Sequence, residues 1–241
     1  MRSPLDRPLP PLRAVTFDFG QTLCDLDTAM LARRLGERGL TVTAQHLEDA
    51  VPAAWRTYDA AIHAGFGGHP WKILMARLLE LGGVADPGAR TDAVDWLWDE
   101  QPKQNLWRRP IEGMIELVDA LAARGLGVGV ISNSEGGLAE LIDEIGWAGR
   151  FAVVADSGKL GLEKPGPEIF AWTTSRLGVD AAELAHVGDS LAADVEGALG
   201  AGIRAIWFRG REPARRPEGV PVAEDAEGVW TALQAWGVRR G

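Results

Sequence analysis

Four short segments of the chain carry polar side chains where apolar runs of strand length end or helices begin. Asp18 follows the first apolar run, and Ser132 ends the second. Lys164 lies directly before a proline, and Asp189 follows an apolar run and a glycine. The carboxyl ends of parallel strands meet at one edge of a sheet, where such folds bind ligands. We therefore expect these four side chains to lie in one crevice.

These residue types suit the transfer of a phosphoryl group. A carboxylate such as Asp18 can attack phosphorus in line, and a lysine can offset the negative charge of the phosphate oxygens. A hydroxyl and backbone amides at a strand end suit an anion. Asp189 and Asp194 offer the oxygen ligands that Mg²⁺ prefers. Each segment alone is ambiguous, because aspartate, serine and asparagine also cap helices and favour turns.

The apolar runs alternate with stretches of helical spacing. Candidate strands cover residues 14–17, 126–131, 151–155, 184–187 and 203–208, and candidate helices cover residues 112–124, 137–145, 167–177 and 191–199. Such alternation is typical of parallel strands joined by crossover helices. The sequence therefore predicts an α/β fold.

The pattern changes to a largely helical one over residues 28–107, where no comparable strand appears. We predict that this block is an inserted helical cap. The core is then formed by residues 11–27 and 108–214, and residues 215–241 form an extension whose helix, at 223–236, packs on the core. Five of the ten tryptophans lie in the cap block. Their helical spacing favours a role in the cap interior over stacking on a ligand.

Composition limits the partners that the chain can have. The formal net charge of -9 and the pI near 5.0 repel nucleic acid and anionic lipid, so we expect neither as a partner. Cys24 is the only cysteine, so no internal disulfide can form, which fits a reducing compartment. No apolar run has the length of a signal peptide or a membrane span, so we expect a cytoplasmic protein. The sequence leaves the oligomeric state open.

In their order along the chain, the four segments resemble the haloacid dehalogenase-like hydrolase superfamily, in its phosphatase-like subgroup with a helical cap after the first motif. The segments are VTFDFGQTL at 15–23, VISNS at 130–134, GLEKPGPEIF at 161–170 and HVGDSLAAD at 186–194. The resemblance implies a Rossmann-like three-layer core with a parallel sheet in the order 5-4-1-2-3. It places the site between the first and fourth strands.

The resemblance also implies roles for single residues. Asp18 resembles the nucleophile that becomes a phosphoaspartate, and Ser132 and Lys164 resemble the phosphate-binding pair. Asp189 resembles the metal ligand, with Asp194 supporting it or the lysine. The implied cofactor is Mg²⁺, and the implied substrate is a small phosphorylated metabolite.

The chain departs from the family pattern at Gly20. Phosphatases of the family usually carry a second aspartate there, which protonates the leaving oxygen and later activates water. The Gly20 carbonyl can still bind the metal, together with Asp18 and Asp189, but no side-chain acid remains. Such a group typically contributes about 10² to 10⁴ in rate.

Substrate-binding candidates come from the motifs and from the glycine-rich loop at residues 63–71. We expect this loop to overhang the site, a plain helix-to-helix turn being the alternative. Gln21 stands where the family usually has glycine, so its amide could orient a water or bond a leaving group. The full set of candidates is Gln21, Thr22, Asn133, His63, His69, Trp71 and Lys72.

Three other functions stay open at this point. A 2-haloacid dehalogenase also lacks the second aspartate, but it does not need the cation site that Asp189 and Asp194 retain. A phosphonate hydrolase requires a cap lysine that forms a Schiff base, and the two cap lysines, Lys72 and Lys103, lie in no motif. The third alternative is a binding or scaffold protein that has lost its acid and base.

Overall fold

The computed structural model describes residues 10–66, 70–210 and 215–239. Its strands are β1 (Ala14–Phe17), β2 (Cys24–Leu26), β3 (Trp107–Pro110), β4 (Gly127–Ser132), β5 (Val153–Asp156), β6 (Leu184–Gly188), β7 (Arg204–Phe208) and β8 (Val222–Ala223). Its α-helices are α1 (Thr28–Glu37), α2 (Ala44–His63), α3 (Trp71–Leu81), α4 (Pro87–Glu100), α5 (Met114–Ala122), α6 (Leu138–Glu144), α7 (Ser157–Leu160), α8 (Pro167–Leu177), α9 (Gly197–Gly200) and α10 (Ala226–Ala235). Within these ranges, no helix has the length and apolar character that a membrane span requires.

Six parallel strands form the central sheet, in the order β5-β4-β1-β6-β7-β8. In this register Val15 of β1 lies between Val128 of β4 and Ala185 of β6. Without β8, the five strands β1, β4, β5, β6 and β7 can be numbered 1 to 5 in chain order. Read from β7 to β5, they then have the predicted order 5-4-1-2-3. β8 extends the sheet by a two-residue strand, which is too short for a sequence pattern to reveal.

Both faces of the sheet are buried, because alternate residues of a strand point to opposite sides. Val15 belongs to one hydrophobic cluster and Ala14 to the other, and Ile206 and Trp207 divide in the same way. The first cluster takes in α5, α6 and α10, and the second takes in α8. The predicted three-layer α/β architecture is confirmed.

Helices α1 to α4 follow β2 in the chain and end before β3. They fall within residues 28–107, the range predicted for the cap, whose independence as a domain stays a prediction. β2 and β3 pair in antiparallel fashion, with Cys24 opposite Pro110. The sequence pattern predicts no strand at either place, because β2 has three residues and β3 reads WRRP, with two charged side chains in four positions.

The helix predicted at residues 191–199 needs a correction. Leu191–Glu196 forms a π-helical turn, and α9 follows it. In this turn the amide of Val195 donates to the carbonyl of Ser190, five residues earlier, at 3.2 Å. Turns of this kind are rare and are frequent at functional sites, and this one carries Asp194.

Candidate active site

A cleft lies between the carboxyl ends of the central strands and the helices that follow β2. It encloses about 550 Å³ of space, part of it open to solvent. The core contributes Asp18, Ser132, Asn133, Lys164, Asp189 and Asp194 to its wall. The cap side contributes Trp55, Tyr58, Trp71, Gln101, Asn105 and Trp107.

Lys164 lies at the centre of the core side, and its side chain is 2% exposed. Its Nζ donates to Asp18 Oδ1 at 2.6 Å, to Asp194 Oδ1 at 2.6 Å and to the carbonyl of Ile131 at 2.7 Å. An ammonium has three hydrogens, so these three acceptors satisfy it. The lysine therefore fixes two buried carboxylates that would otherwise repel each other.

Three polar groups contact the carboxylate of Asp194. Its Oδ2 accepts the amide of Ser190 at 2.9 Å, and its Oδ1 lies 3.3 Å from Nε2 of His186 as well as bonding Lys164. The π-helical turn brings its carboxyl so close to Gly188 that a Cβ on that residue would collide with it. The absence of a side chain at residue 188 is therefore a condition for the position of Asp194.

Asp18 and Asp194 both accept a hydrogen bond from Lys164, but their pKa values shift in opposite directions. Burial raises the pKa of Asp18 to about 7 from an ordinary value of 3.8, against the opposing effect of Lys164. Burial also acts to raise the pKa of Asp194, but Lys164 and His186 outweigh it and hold that pKa below its usual range. The pKa of Lys164 is raised, because the two carboxylates outweigh its burial. The two pKa values differ because His186 adds to the effect of Lys164 at Asp194, whereas Asp194 and Asp189 add to the effect of burial at Asp18.

Three carboxylates could hold a metal ion here. Asp18, Asp189 and Asp194 each offer an oxygen, and these oxygens lie within 4.8 Å of one another. No other such group of histidine, cysteine or acidic residues occurs in the described ranges. All three residues are buried, so a cation bound there would be largely shielded from solvent.

Aromatic rings form most of the cap side of the cleft. The ring centroid of Trp107 lies 6.3 Å from that of Trp55 and 6.4 Å from that of Trp71, both in edge-to-face geometry. Tyr58 packs against Trp55 at 4.9 Å. From the same helix, α2, Asp59 accepts a hydrogen bond from the hydroxyl of Ser190. The cap is thus tied to the core beside the acidic residues.

Two predicted substrate-binding residues lie in the cleft wall. Trp71 is 1% exposed at the start of α3. Asn133 has a structural task, because its Nδ2 donates to the carbonyl of Lys164 at 2.8 Å and its Oδ1 accepts the amide of Lys164 at 2.8 Å. Both contacts fix the backbone of the lysine. A contact of either residue with substrate stays a prediction.

The structure does not bring four other candidates to the cleft wall. Gln21 and Thr22 are buried in the turn after β1, where the backbone N–H of Gln21 donates to the carbonyl of Cys24. His63 pairs with Glu196 at 2.8 Å. Lys72 pairs with Asp95 at 2.7 Å on the exposed side of the cap. For each polar side chain of this set, a neighbour in the fold supplies a partner or a burial site that the sequence pattern does not reveal.

The loop at residues 63–71 is described only in part. His69 lies outside the described residues, as do the two glycines before it. Trp71, at the end of the loop, lines the cleft, whereas His63, at its start, does not. The expectation that the loop overhangs the site therefore stays a prediction.

Sequence reasoning missed most of the cap side. Trp71 was predicted as a substrate-binding residue, whereas Trp55 and Trp107 were expected only in the cap interior. All three are buried and line the cleft. Tyr58 and Gln101 carried no motif. One signal was present, because residues 55, 58 and 59 lie three and four positions apart and therefore on one face of a helix.

A parallel sheet with an acidic, lysine-bridged centre at its carboxyl edge, facing helices across a cleft, is typical of an α/β enzyme. A profile of the haloacid dehalogenase-like hydrolase family matches residues 12–202. The chain belongs to this family.

Named relatives agree with this assignment. Haloacid dehalogenase-like hydrolase domain-containing protein 3 from Mus musculus is 28% identical over 211 residues, 84% of each chain. Phosphoserine phosphatase from Thermus thermophilus is 32% identical over 178 residues, 71% of this chain and 69% of that protein. The magnesium-bound HAD hydrolase YfnB from Bacillus subtilis superposes with a TM-score of 0.67 at 20% identity, covering 93% of this chain and 99% of that one. The protein is therefore a hydrolase with phosphatase relatives.

Proposed function

We propose that the protein is a Mg²⁺-dependent phosphatase of small phosphorylated metabolites that works through an aspartyl phosphate on Asp18. The observation that carries the proposal is the joint placement of Asp18, Lys164 and Asp189 at one end of a cleft. A nucleophile, a cation for the phosphate oxygens and a ligand for a metal are the parts that phosphoryl transfer needs. The phosphoserine phosphatase among the relatives supports the same reaction.

The residues present fit a divalent cation. Asp18, Asp189 and Asp194 bring three carboxylates to a buried site, and Lys164 is the ammonium that faces them. Burial raises the pKa of Asp18, and the neighbouring carboxylates Asp194 and Asp189 raise it further. Mg²⁺ would be held by Asp18, Asp189 and the Gly20 carbonyl, and it supplies Lewis-acid stabilisation of charge on the phosphate oxygens.

The side chains then divide the reaction between them. An oxygen of Asp18 attacks phosphorus, the bond from phosphorus to the ester oxygen breaks, and the alcohol portion leaves. Lys164, which lies beside Asp18, offsets the charge of the phosphate oxygens during this transfer, and Ser132 binds these oxygens. Water then hydrolyses the aspartyl phosphate and regenerates Asp18. Because Gly20 offers no acid, substrates with weakly basic leaving groups are favoured.

The Asp18→Asn variant tests this proposal. We expect phosphate release from a panel of phosphate esters to fall to background, because an amide oxygen is a poor nucleophile. Rapid acid quenching followed by mass spectrometry should find phosphate on Asp18 of the wild type and none on the variant. The variant should stay folded, because Asp194 and the carbonyl of Ile131 still accept hydrogen bonds from Lys164.

Asp25→Asn is the matched control. Asp25 pairs with Arg209 at 2.7 Å and does not line the cleft, so its loss should leave turnover close to that of the wild type. Substantial Mg²⁺-dependent turnover by clean Asp18→Asn protein would refute the nucleophile. Turnover of 2-haloacids but of no phosphate ester, in a parallel panel, would replace phosphatase by dehalogenase.

A further inference from the structure

The cleft contains three buried nitrogen donors that have no acceptor. Trp71 Nε1, Gln101 Nε2 and Trp107 Nε1 are buried and lack a hydrogen-bond partner among the described residues, and all three belong to residues of the cleft wall. An unpaired buried donor is destabilising, because burial removes its hydrogen bond to water and puts no other in its place. A concentration of such donors at one cavity indicates that a ligand supplies the acceptors.

Trp107 occupies the space beside Gly20. A Cβ on Gly20 would lie 3.0 Å from Cδ1 and 3.2 Å from Nε1 of the indole. The N–H edge of Trp107 therefore faces the backbone two residues after Asp18. Trp107 itself is 7% exposed, so water does not readily replace the missing acceptor. Any side chain at residue 20 would have to displace this ring.

We propose that the indole N–H of Trp107 donates a hydrogen bond to the leaving-group oxygen while the phosphoryl group passes to Asp18, and that Trp71 and Gln101 donate to other oxygens of the substrate's organic portion. This inference rests on the proposed function. In the step, a bond forms between Asp18 and phosphorus, and the bond from phosphorus to the leaving oxygen breaks. The electron pair stays on that oxygen, which takes its proton from water.

The geometry favours this assignment because an in-line reaction places the leaving oxygen on the side of phosphorus opposite the nucleophile. Asp18 lies on the core side of the cleft, and the three donors lie on the cap side. An indole N–H keeps its proton at any physiological pH, so Trp107 stabilises developing charge and does not act as an acid. Preorganised donors of this kind contribute through electrostatics.

The donor set also defines the substrate class. All three donors are neutral, and Lys164 is the single cationic side chain among the described residues of the cleft wall. A carboxylate on the organic portion would meet no cationic side chain among the described cap residues of the cleft wall. The expected substrate is therefore a phosphate ester or acyl phosphate whose organic portion is uncharged and carries carbonyl, ether or hydroxyl oxygens.

The test compares wild type with Trp107→Phe on para-nitrophenyl, phenyl and benzyl phosphates in the presence of Mg²⁺. The variant keeps an aromatic ring but loses the N–H. We expect kcat/KM to fall about tenfold to hundredfold for phenyl phosphate, the range for loss of one hydrogen bond to a charged oxygen. The fall should be smaller for para-nitrophenyl phosphate, whose leaving group spreads its charge, so the dependence on leaving-group pKa becomes steeper. Inhibition by inorganic phosphate, which has no organic portion, should not change.

Two further proteins separate the N–H from the ring. Benzothienylalanine at position 107 keeps the bicyclic shape and replaces N–H by sulfur, and it should reproduce the effect of Trp107→Phe without its loss of volume. Trp230→Phe removes a buried indole from α10, outside the cleft, and should leave the dependence unchanged.

The outcomes distinguish the inference from the proposed function. In one outcome, the wild type hydrolyses phosphate esters, and both proteins altered at position 107 show the same dependence of kcat/KM on leaving-group pKa as the wild type. That result would overturn the inference and leave the proposed phosphatase function intact. Absence of Mg²⁺-dependent turnover of any phosphate ester by the wild type would overturn both.

Discussion

At the scale of single residues, Lys164 decides whether the acidic centre can exist in a buried place. Its three hydrogen bonds, two of them to carboxylates, compensate for the removal of these charges from water. Asn133 fixes the lysine's backbone through two hydrogen bonds, so the ammonium is positioned from both ends of the residue. The same contacts prepare a cation for the phosphate oxygens.

Lys164→Met should therefore destabilise the protein and abolish turnover. Removing one partner of a buried ion pair costs about 3–5 kcal/mol, because the remaining charges are left unpaired. Equilibrium unfolding in urea measures the loss. The double variant Lys164→Met, Asp194→Asn should recover part of the stability and none of the activity.

Lys72→Met is the control for this prediction. Lys72 and Asp95 form an exposed pair, their side chains being 50% and 58% exposed. Exposed pairs contribute at most about 1 kcal/mol. A loss of similar size in Lys72→Met and Lys164→Met would contradict the role assigned to the buried lysine.

At the scale of elements, the π-helical turn after β6 positions the side chain of Asp194. The turn starts at Ser190, whose hydroxyl accepts the amide of Ala193 at 3.1 Å and bonds Asp59 of α2. Its path takes the Asp194 carboxyl against Gly188. One short element thus joins the sheet, the lysine and the cap.

Gly188→Ala should disturb this element. The added methyl collides with the Asp194 carboxyl, and overpacking of a well-packed site typically costs about 1–3 kcal/mol. Turnover should fall with stability, because the displaced carboxyl no longer holds Lys164. Thermal unfolding and phosphate release measure the two effects.

Gly36→Ala gives the opposite expectation at a glycine of α1. A Cβ on Gly36 meets nothing within 4 Å. Replacing glycine by alanine inside a helix stabilises it by up to about 1 kcal/mol. Wild-type stability and turnover in Gly188→Ala would show that the turn tolerates a displaced Asp194.

At the scale of the whole molecule, the cleft between cap and core joins two chemically different walls. The core wall carries charged residues from several strand ends, and the cap wall carries neutral aromatic and amide groups. In the proposed reaction, a metal bound at the core wall acts on the phosphoryl group, whereas the cap wall contacts the leaving oxygen and the organic portion of the substrate.

Removal of Mg²⁺ should accordingly stop catalysis without unfolding the protein. Two hydrophobic clusters bury the core residues independently of the acidic site. Adding Mg²⁺ should raise the free energy of unfolding by mass action, by about 2.7 kcal/mol at a hundredfold excess over Kd, and the unfolding temperature should rise with it. Asp189→Asn should lose most of this increase. Activity that survives exhaustive chelation would favour the dehalogenase reaction.

The sequence by itself determined the fold class and the gathering of polar groups at one sheet edge, and its resemblance to the family implied the order of the five main strands. The fold class and the sheet edge follow from local patterns, because strand periodicity and strand ends are readable along the chain and parallel strands align their carboxyl ends. Asp18, Ser132, Lys164 and Asp189 therefore meet where expected, although their roles stay proposals.

Only the tertiary structure decided which cap residues face these groups. A tryptophan in the cap interior and a tryptophan in a cleft wall give the same sequence pattern. The sequence therefore could not show that Trp55 and Trp107 line the cleft. His63 and Lys72 were predicted near substrate, but they pair with Glu196 and Asp95, which do not line the cleft. The contact of Trp107 with Gly20 joins two segments far apart in sequence, and no local pattern encodes such a contact, because it depends on how the cap packs against the core.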